Sequence, residues 1–237
     1  MQEVIPLLCA TFFIIQLLLV WHIMHLVSNG EIYSIVPLKR YLFSKEKNNI
    51  KAGDLIFTRS SIGTIQEVFV PYIYKHTAIA VEFDNEVYIA ETSIAKVGGR
   101  DGNTLIRSNS KVVIYTLDTY MKNILGSIFL LKLNKPLSKS QIEILQNTVL
   151  DQLGKSYPSL PEMFVNFILN IPIKKLQCIS FVNLCLTDIG LIENKKMSPY
   201  QQGIFITNIY KYDLLDGYRY EKPKQLVYDY ECNEELY

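Results

Sequence analysis

Cys178, His76 and Glu91 are the side chains in this sequence whose types and spacing can do chemistry together. A thiol beside an imidazole is a nucleophile and its base, and a carboxylate behind the imidazole fixes its tautomer. Cys178, Phe181, Val182, Cys185, Leu186 and Ile189 recur at the spacing of one helical face, which predicts a helix whose apolar stripe packs inward. Cys178 falls in the first turn of that helix. Free backbone N–H groups and the positive end of the helix dipole there stabilise a thiolate, and Lys174 and Lys175 add cationic field. Read alone, the stretch also fits a structural cysteine buried in a helix, as expected of Cys185.

The base must come from another element. His76 is the only histidine outside the apolar stretch Val4 to Val27, which holds His22 and His25. A Cys–His pair in the rest of the chain therefore has to use His76. Residues 75–83 and 86–93 read as two strands joined at Asp84-Asn85, a hairpin signal. Pairing Phe83 with Glu86 sets Ala80 against Ile89, Ala78 against Glu91 and His76 against Ser93. His76, Ala78, Glu91 and Ser93 then share a face, on which a Glu side chain can reach a diagonal neighbour. Small Ala78 and Ala80 leave room on that face for a docked helix bringing the nucleophile to the second ring nitrogen. Glu82 shares the face but lies six residues along the strand, about 20 Å from His76.

Gly53-Asp54-Leu55-Ile56-Phe57, Lys75 to Val81, Tyr88-Ile89-Ala90-Glu91, Cys178 to Val182 and Ser198-Pro199 carry a family resemblance. In their order and spacing they resemble the circularly permuted papain-like hydrolases of the NlpC type, found in bacteria, poxviruses and giant viruses. The resemblance spans roughly Lys51 to Phe205. It implies Cys178 as nucleophile, His76 as base and Glu91 as orienting carboxylate. The related lecithin retinol acyltransferase group keeps the same histidine-before-cysteine order, so acyl transfer to or from lipids stands beside hydrolysis.

Composition narrows the remaining classes. With 237 residues, 49% of them hydrophobic, the chain can bury a full core. Twenty-four basic against 23 acidic residues argue against a surface built for nucleic acid. The four cysteines form no C-x-x-C pair and the histidines no zinc spacing, so neither a metal nor another cofactor is expected. Cys178 and Cys185 would lie about 10 Å apart along one helix, too far for a disulfide. The thiols suit a reducing compartment.

Val4 to Val27 contains no charged residue, and as a helix would cover about 36 Å, enough to cross a bilayer. A cleaved signal peptide is the alternative, but no Lys or Arg precedes the run and Ser28-Asn29-Gly30 makes a poor cleavage site. Lys39, Arg40, Lys45, Lys47 and Lys51 follow it, which by the positive-inside rule places the remainder on the cytosolic side.

The expected organisation is an anchor over residues 1–30, a basic linker over 31–50 with a short helix near Val36 to Phe43, and a domain over 51–237. That domain is expected to be α+β, a small antiparallel sheet with helices packed on one side. Strands are expected at Leu55 to Thr58, Lys111 to Tyr115 and Ser127 to Leu133, and a helix from Ser138 to Leu153. A second helix is expected over Pro161 to Ile171. Gly98 to Asn103 reads as a turn cluster, and the Tyr-rich end as packed segments with an acidic frayed tail. The expected partners are a bilayer and a lipid or peptide substrate, with oligomeric state open. A non-catalytic membrane or virion protein retaining the fold is the competing class.

Overall fold

A computed structural model describes residues 14–16, 18, 40–59, 76–92, 112–124, 127–153, 155, 177–195, 197 and 199–228. Among the described residues, seven strands form one sheet in the order β1-β7-β6-β2-β3-β4-β5. They are β1 (Arg40–Leu42), β2 (Leu55–Arg59), β3 (His76–Phe83), β4 (Glu86–Thr92), β5 (Val112–Thr116), β6 (Ser127–Leu131) and β7 (Lys224–Val227). The helices are α1 (Phe43–Glu46), α2 (Leu117–Asn123), α3 (Lys139–Gln152), α4 (Cys178–Asp188) and α5 (Pro199–Thr207).

The β3–β4 hairpin is the structural base of the site. Asp84 and Asn85 adopt φ of 50° and 63°, the left-handed conformation at both loop positions that a two-residue turn between twisted strands requires. This turn sets the expected register, with Phe83 opposite Glu86, Ala80 opposite Ile89 and Ala78 opposite Glu91. Strand alternation then divides the core in two. Leu55, Phe57, Ile79, Val81 and Ala90 pack with Leu145, Val149, Phe181, Val182, Cys185 and Leu186 of α3 and α4. Ile56, Ala78, Ala80 and Ile89 pack with Phe43, Tyr115, Leu117, Tyr120 and Met121.

This arrangement corrects the expectations on the covering helices, the sheet type and the linker. Helices cover both faces of the sheet, not one. The α4 stripe docks on the Ile79 and Val81 face, while the small residues Ala78 and Ala80 accommodate the rings of Tyr115 and Tyr120. The sheet is also mixed: β1 runs parallel to β7, pairing Arg40 with Gln225 and Leu42 with Val227. Residues 40–49, expected as linker, therefore supply an edge strand, with α1 after it burying Phe43. The expected helix near Val36 to Phe43 begins at Phe43 because Arg40–Leu42 is extended.

Helix α3 starts where the sequence signals it. Ser138 caps it by accepting from Gln141 N–H, and the Gln141 side chain accepts from Ser138 N–H. Thr148 Oγ1 donates to Asp188 Oδ2 at 2.8 Å and Gln141 Nε2 to the Ile189 carbonyl at 3.0 Å, fixing α3 against the C-terminal end of α4. Along α4, Phe181, Val182, Cys185 and Leu186 are fully buried, which contributes about 1.5–3 kcal/mol for each of the larger side chains. That anchorage holds the first turn of α4 still.

The Gly53-Asp54 pair ties β2 to its surroundings. Gly53 has φ of +90°, and a Cβ there would lie 2.8 Å from Leu133 Cδ1, so only glycine fits. Asp54 is buried and accepts from Leu133 N–H at 2.8 Å and Lys51 N–H at 3.0 Å. Tyr220 O–H donates to the Gly53 carbonyl at 2.7 Å.

Among the described residues no helix is long and apolar enough to cross a membrane. Of the run from Val4 to Val27 only residues 14–16 and 18 are described; they are helical, with Ile14, Ile15 and Leu18 exposed. The rest of that expected anchor lies outside the described residues, as do Ser93, Gly98 to Asn103, the helix expected over Pro161 to Ile171, Lys174 and Lys175, Cys9, Cys232 and the acidic tail.

Candidate active site

Cys178 is the first residue of α4, as the apolar spacing predicts. Gln177 precedes it in extended conformation, and its carbonyl accepts from Phe181 N–H at 2.8 Å. The Gln177 side chain does not cap this end of the helix. The N–H groups of the first turn are thus left to other acceptors. The N–H groups of Ile179 and, from the start of β3, Thr77 lie on the Cys178 side and favour its thiolate. Ser180 Oγ donates to Gln202 Oε1 at 2.8 Å, fastening the same turn to α5.

His76 opens β3 with its side chain about a quarter exposed, while Cys178 is 7% exposed. Its Nε2 lies 2.5 Å from Glu91 Oε2. A carboxylate only accepts, so Nε2 carries the proton and Nδ1 is the nitrogen left for the thiol. Glu91 is buried on β4, in the last described pair of the β3–β4 ladder. Cys178, His76 and Glu91 are brought together as the sequence predicts, but by a different route. Helix α4 lies on the opposite face of the sheet from Glu91, and its N-terminal end meets His76 at the beginning of β3.

The electrostatics follow from these contacts. Burial opposes charge on His76, yet the Glu91 carboxylate and hydrogen bonds with Cys178 and Glu91 outweigh it and raise the imidazole well above its ordinary 6.5. Burial likewise opposes a Cys178 thiolate. The hydrogen bond and charge of His76, with the Thr77 and Ile179 N–H groups, overcome that and lower the thiol below its ordinary 9.0. Opposite shifts on neighbouring groups favour a thiolate–imidazolium pair, the reactive form of a cysteine nucleophile.

Cys185 shares the helix face and none of the chemistry. It is fully buried, as the sequence predicts of a structural cysteine, and burial pushes its thiol far up. Glu82 stays at the distal end of β3, where its carbonyl accepts from Gln146 Nε2.

The sequence analysis missed Tyr115 and Tyr120. Both are buried beside Glu91, and burial followed by the Glu91 charge raises both phenols. Their rings pack at 6.1 Å between centroids. The alternation of β5 could have pointed Tyr115 to the Glu91 face; nothing in the seven residues of α2 signals Tyr120. Among the described residues no group of three or more His, Cys, Asp or Glu side chains is placed to hold a metal ion.

No curated protein matches this chain. A solved structure with some likeness is that of the metalloprotein YiiX from Escherichia coli O157:H7, at 16% identity and a TM-score of 0.41, covering 75% of this chain and 97% of that one. The family model of the permuted papain-like amidase enzymes, YaeF/YiiX, C92 family, matches residues 49–209. That span carries Gly53-Asp54, His76, Glu91 and the start of α4 in order. It does not extend the likeness to the viral or lecithin retinol acyltransferase branches. On this match over two thirds of its length, the chain belongs to the permuted papain-like amidase family of cysteine hydrolases.

Proposed function

We propose that the chain is an amide or ester hydrolase in which Cys178 is the nucleophile, His76 the general base and acid, and Glu91 the carboxylate that orients it. The observation that carries this reading is the 2.5 Å contact of His76 Nε2 with Glu91 Oε2, at the end of β3 that the start of α4 and its first residue, Cys178, approach.

The Cys178 thiolate attacks the substrate carbonyl carbon, and the carbonyl π electrons move to oxygen. Backbone N–H groups in the first turn of α4 are the available donors for that oxyanion. As the tetrahedral intermediate collapses, the His76 imidazolium gives its proton to the departing amine or alcohol, leaving a thioester on Cys178. His76 then takes a proton from water, whose oxygen attacks the thioester carbon; the second tetrahedral intermediate collapses with cleavage of the bond to Cys178 sulfur, releasing the acid and restoring the thiolate beside the His76 imidazolium. Glu91 accepts from Nε2–H throughout and holds that tautomer.

The uncharged run Val4 to Val27 and its basic flank support an anchored enzyme with this domain on the cytosolic side. Such an enzyme works at a bilayer, on lipid or peptide acyl groups. An acceptor other than water would make the same thioester a transferase intermediate.

The test is covalent labelling of the full chain in detergent or vesicles with lipid-ester and peptide-amide electrophiles, followed by mapping of the modified cysteine. Cys178→Ala and His76→Ala should each abolish turnover-dependent labelling, and the double variant should be no worse than either. Labelling that persists in folded His76→Ala would overturn the mechanism. Protease added from the cytosolic side of intact membranes should digest the domain; protection of the domain would reverse the topology.

A further inference from the structure

We infer that Ser180 and Gln202 are a positioning pair for the reaction, their hydrogen bond holding the first turn of α4 so that its backbone N–H groups stay aimed at the oxyanion. This rests on the reading of Cys178 as an acyl-forming nucleophile given above.

The first turn of α4 is where the helix is least held by its own backbone. Phe181 N–H, donating to the Gln177 carbonyl, makes the first internal bond, so the N–H groups of Cys178, Ile179 and Ser180 have no partner within the helix. The Gln177 side chain does not cap them. A helix end of this kind frays, whereas an oxyanion donor works only if it is aimed before the charge develops. The turn has to be held from outside the helix.

On one side the buried stripe does this, with Cys178, Phe181 and Val182 facing inward. Ser180 follows Cys178 by two residues, about 200° round the helix, on a side the stripe leaves free. There Ser180 Oγ donates to Gln202 Oε1 at 2.8 Å. Gln202 is itself directed. Its Nε2 donates to the Met197 carbonyl at 3.3 Å, and a carbonyl only accepts, so Oε1 is the end left facing Ser180. Helix α5, which carries Gln202, is rooted by Ile206, fully buried in the same core cluster as Phe181 and Val182. Apolar packing thus holds the turn from within, and a polar bond to the neighbouring helix holds it from the other side.

That bond is not what joins α4 and α5 to the core. A neutral, partly buried hydrogen bond adds little to folding, and Phe181, Val182 and Ile206 supply the burial. What Ser180 and Gln202 add is direction, at the turn whose N–H groups the reaction uses. Neither side chain touches a reacting atom.

The experiment compares two reactions of Cys178 in the full-length chain: acylation by p-nitrophenyl butyrate, followed as the burst of p-nitrophenolate, and alkylation by iodoacetamide. Acylation passes through a tetrahedral oxyanion; alkylation displaces iodide from a saturated carbon and forms none. Ser180→Ala and Gln202→Met should each slow acylation about tenfold, part of the roughly hundredfold that loss of a whole oxyanion donor costs, and leave alkylation within about twofold. The double variant should be no slower than either single one, because both act through one bond. Ser180→Thr keeps the hydroxyl and should acylate at close to the wild-type rate. A merely structural contact would instead lower the two reactions together. Acylation unchanged in both single variants, parallel loss of acylation and alkylation, or losses that multiply in the double variant would each overturn the inference. A burst that is absent from wild type or survives Cys178→Ala sinks the nucleophile itself, and with it the reading on which the pair rests.

Discussion

Glu91 stands opposite Ala78, not opposite His76, and reaches back along the diagonal of the β3–β4 ladder to place Oε2 2.5 Å from His76 Nε2. A diagonal on an antiparallel face is about 7–8 Å at the backbone, so the contact needs the full length of a Glu side chain. Asp is shorter by one methylene, about 1.5 Å along the chain. Glu91→Asp keeps the charge and should still lose the contact. Turnover should fall to about the level of Glu91→Gln, by tenfold or more in kcat, in a protein whose circular dichroism is unchanged. Wild-type kcat in Glu91→Asp would mean that charge alone suffices and that the diagonal contact is incidental.

The reactivity of Cys178 should extend to lower pH than that of an ordinary thiol. Its pKa is lowered and that of His76 raised, so between the two values the pair exists as thiolate and imidazolium. Falling pH protonates the thiolate, and rising pH removes the imidazolium proton. Alkylation should therefore persist well below pH 9, and kcat/KM should be bell-shaped with two apparent values belonging to the pair. In His76→Ala the burial of Cys178 is left unopposed by the imidazole, and its alkylation profile should move up, to ordinary values or beyond. An unmoved profile would show that the helix start alone activates the thiol.

Cys185 supplies the internal control. It lies seven residues along the same helix, fully buried, with its thiol pushed far up by burial and, next, by the Asp188 charge. Native protein should show no modification at Cys185 under conditions that label Cys178 to completion. Cys185→Ala should leave the labelling rate unchanged while lowering the unfolding free energy by about 1 kcal/mol for the lost packing. Labelling at Cys185 in folded protein would place the reactive centre elsewhere on α4.

What the sequence made legible is local. The β3–β4 register follows from Asp84-Asn85 and a period of two, and the start of α4 from an apolar period of 3.6; both are written within about a dozen residues. The capping box at Ser138 is of the same kind. Which element covers which face is not local. Ala78 and Ala80 announce that something bulky packs over them, yet the occupants are Tyr115 and Tyr120, from β5 and α2, and not α4. Strand β1 is three residues of mixed polarity, recognisable only by its pairing with β7 near the other end of the described chain. Tyr120 escapes for the same reason: only tertiary packing brings α2 over this face of the sheet.

Asp54 should make the stability of the domain depend on pH. Burial raises its carboxyl from an ordinary 3.8 to about 6, against the lowering effect of the Lys51 and Leu133 N–H groups. Between those two values the folded state holds a proton that the unfolded state has released, so stability from this group falls as pH rises. Below about pH 4 both states are neutral at Asp54 and its contribution is fully present. Above about pH 6 the fold carries a buried carboxylate, at a cost of about 3 kcal/mol from the two-unit shift. Asn at this position cannot titrate. It keeps one oxygen for one backbone N–H but presents an amide donor to the other, a loss of about 1–3 kcal/mol that is flat in pH. Urea unfolding of wild type and Asp54→Asn from pH 4 to 7 should therefore give curves that converge. Wild type should lead clearly at pH 4, and its lead should shrink by about 3 kcal/mol by pH 7. Parallel curves would mean that the two backbone N–H groups already hold Asp54 ionised, and that the Gly53-Asp54 turn is a charged one throughout.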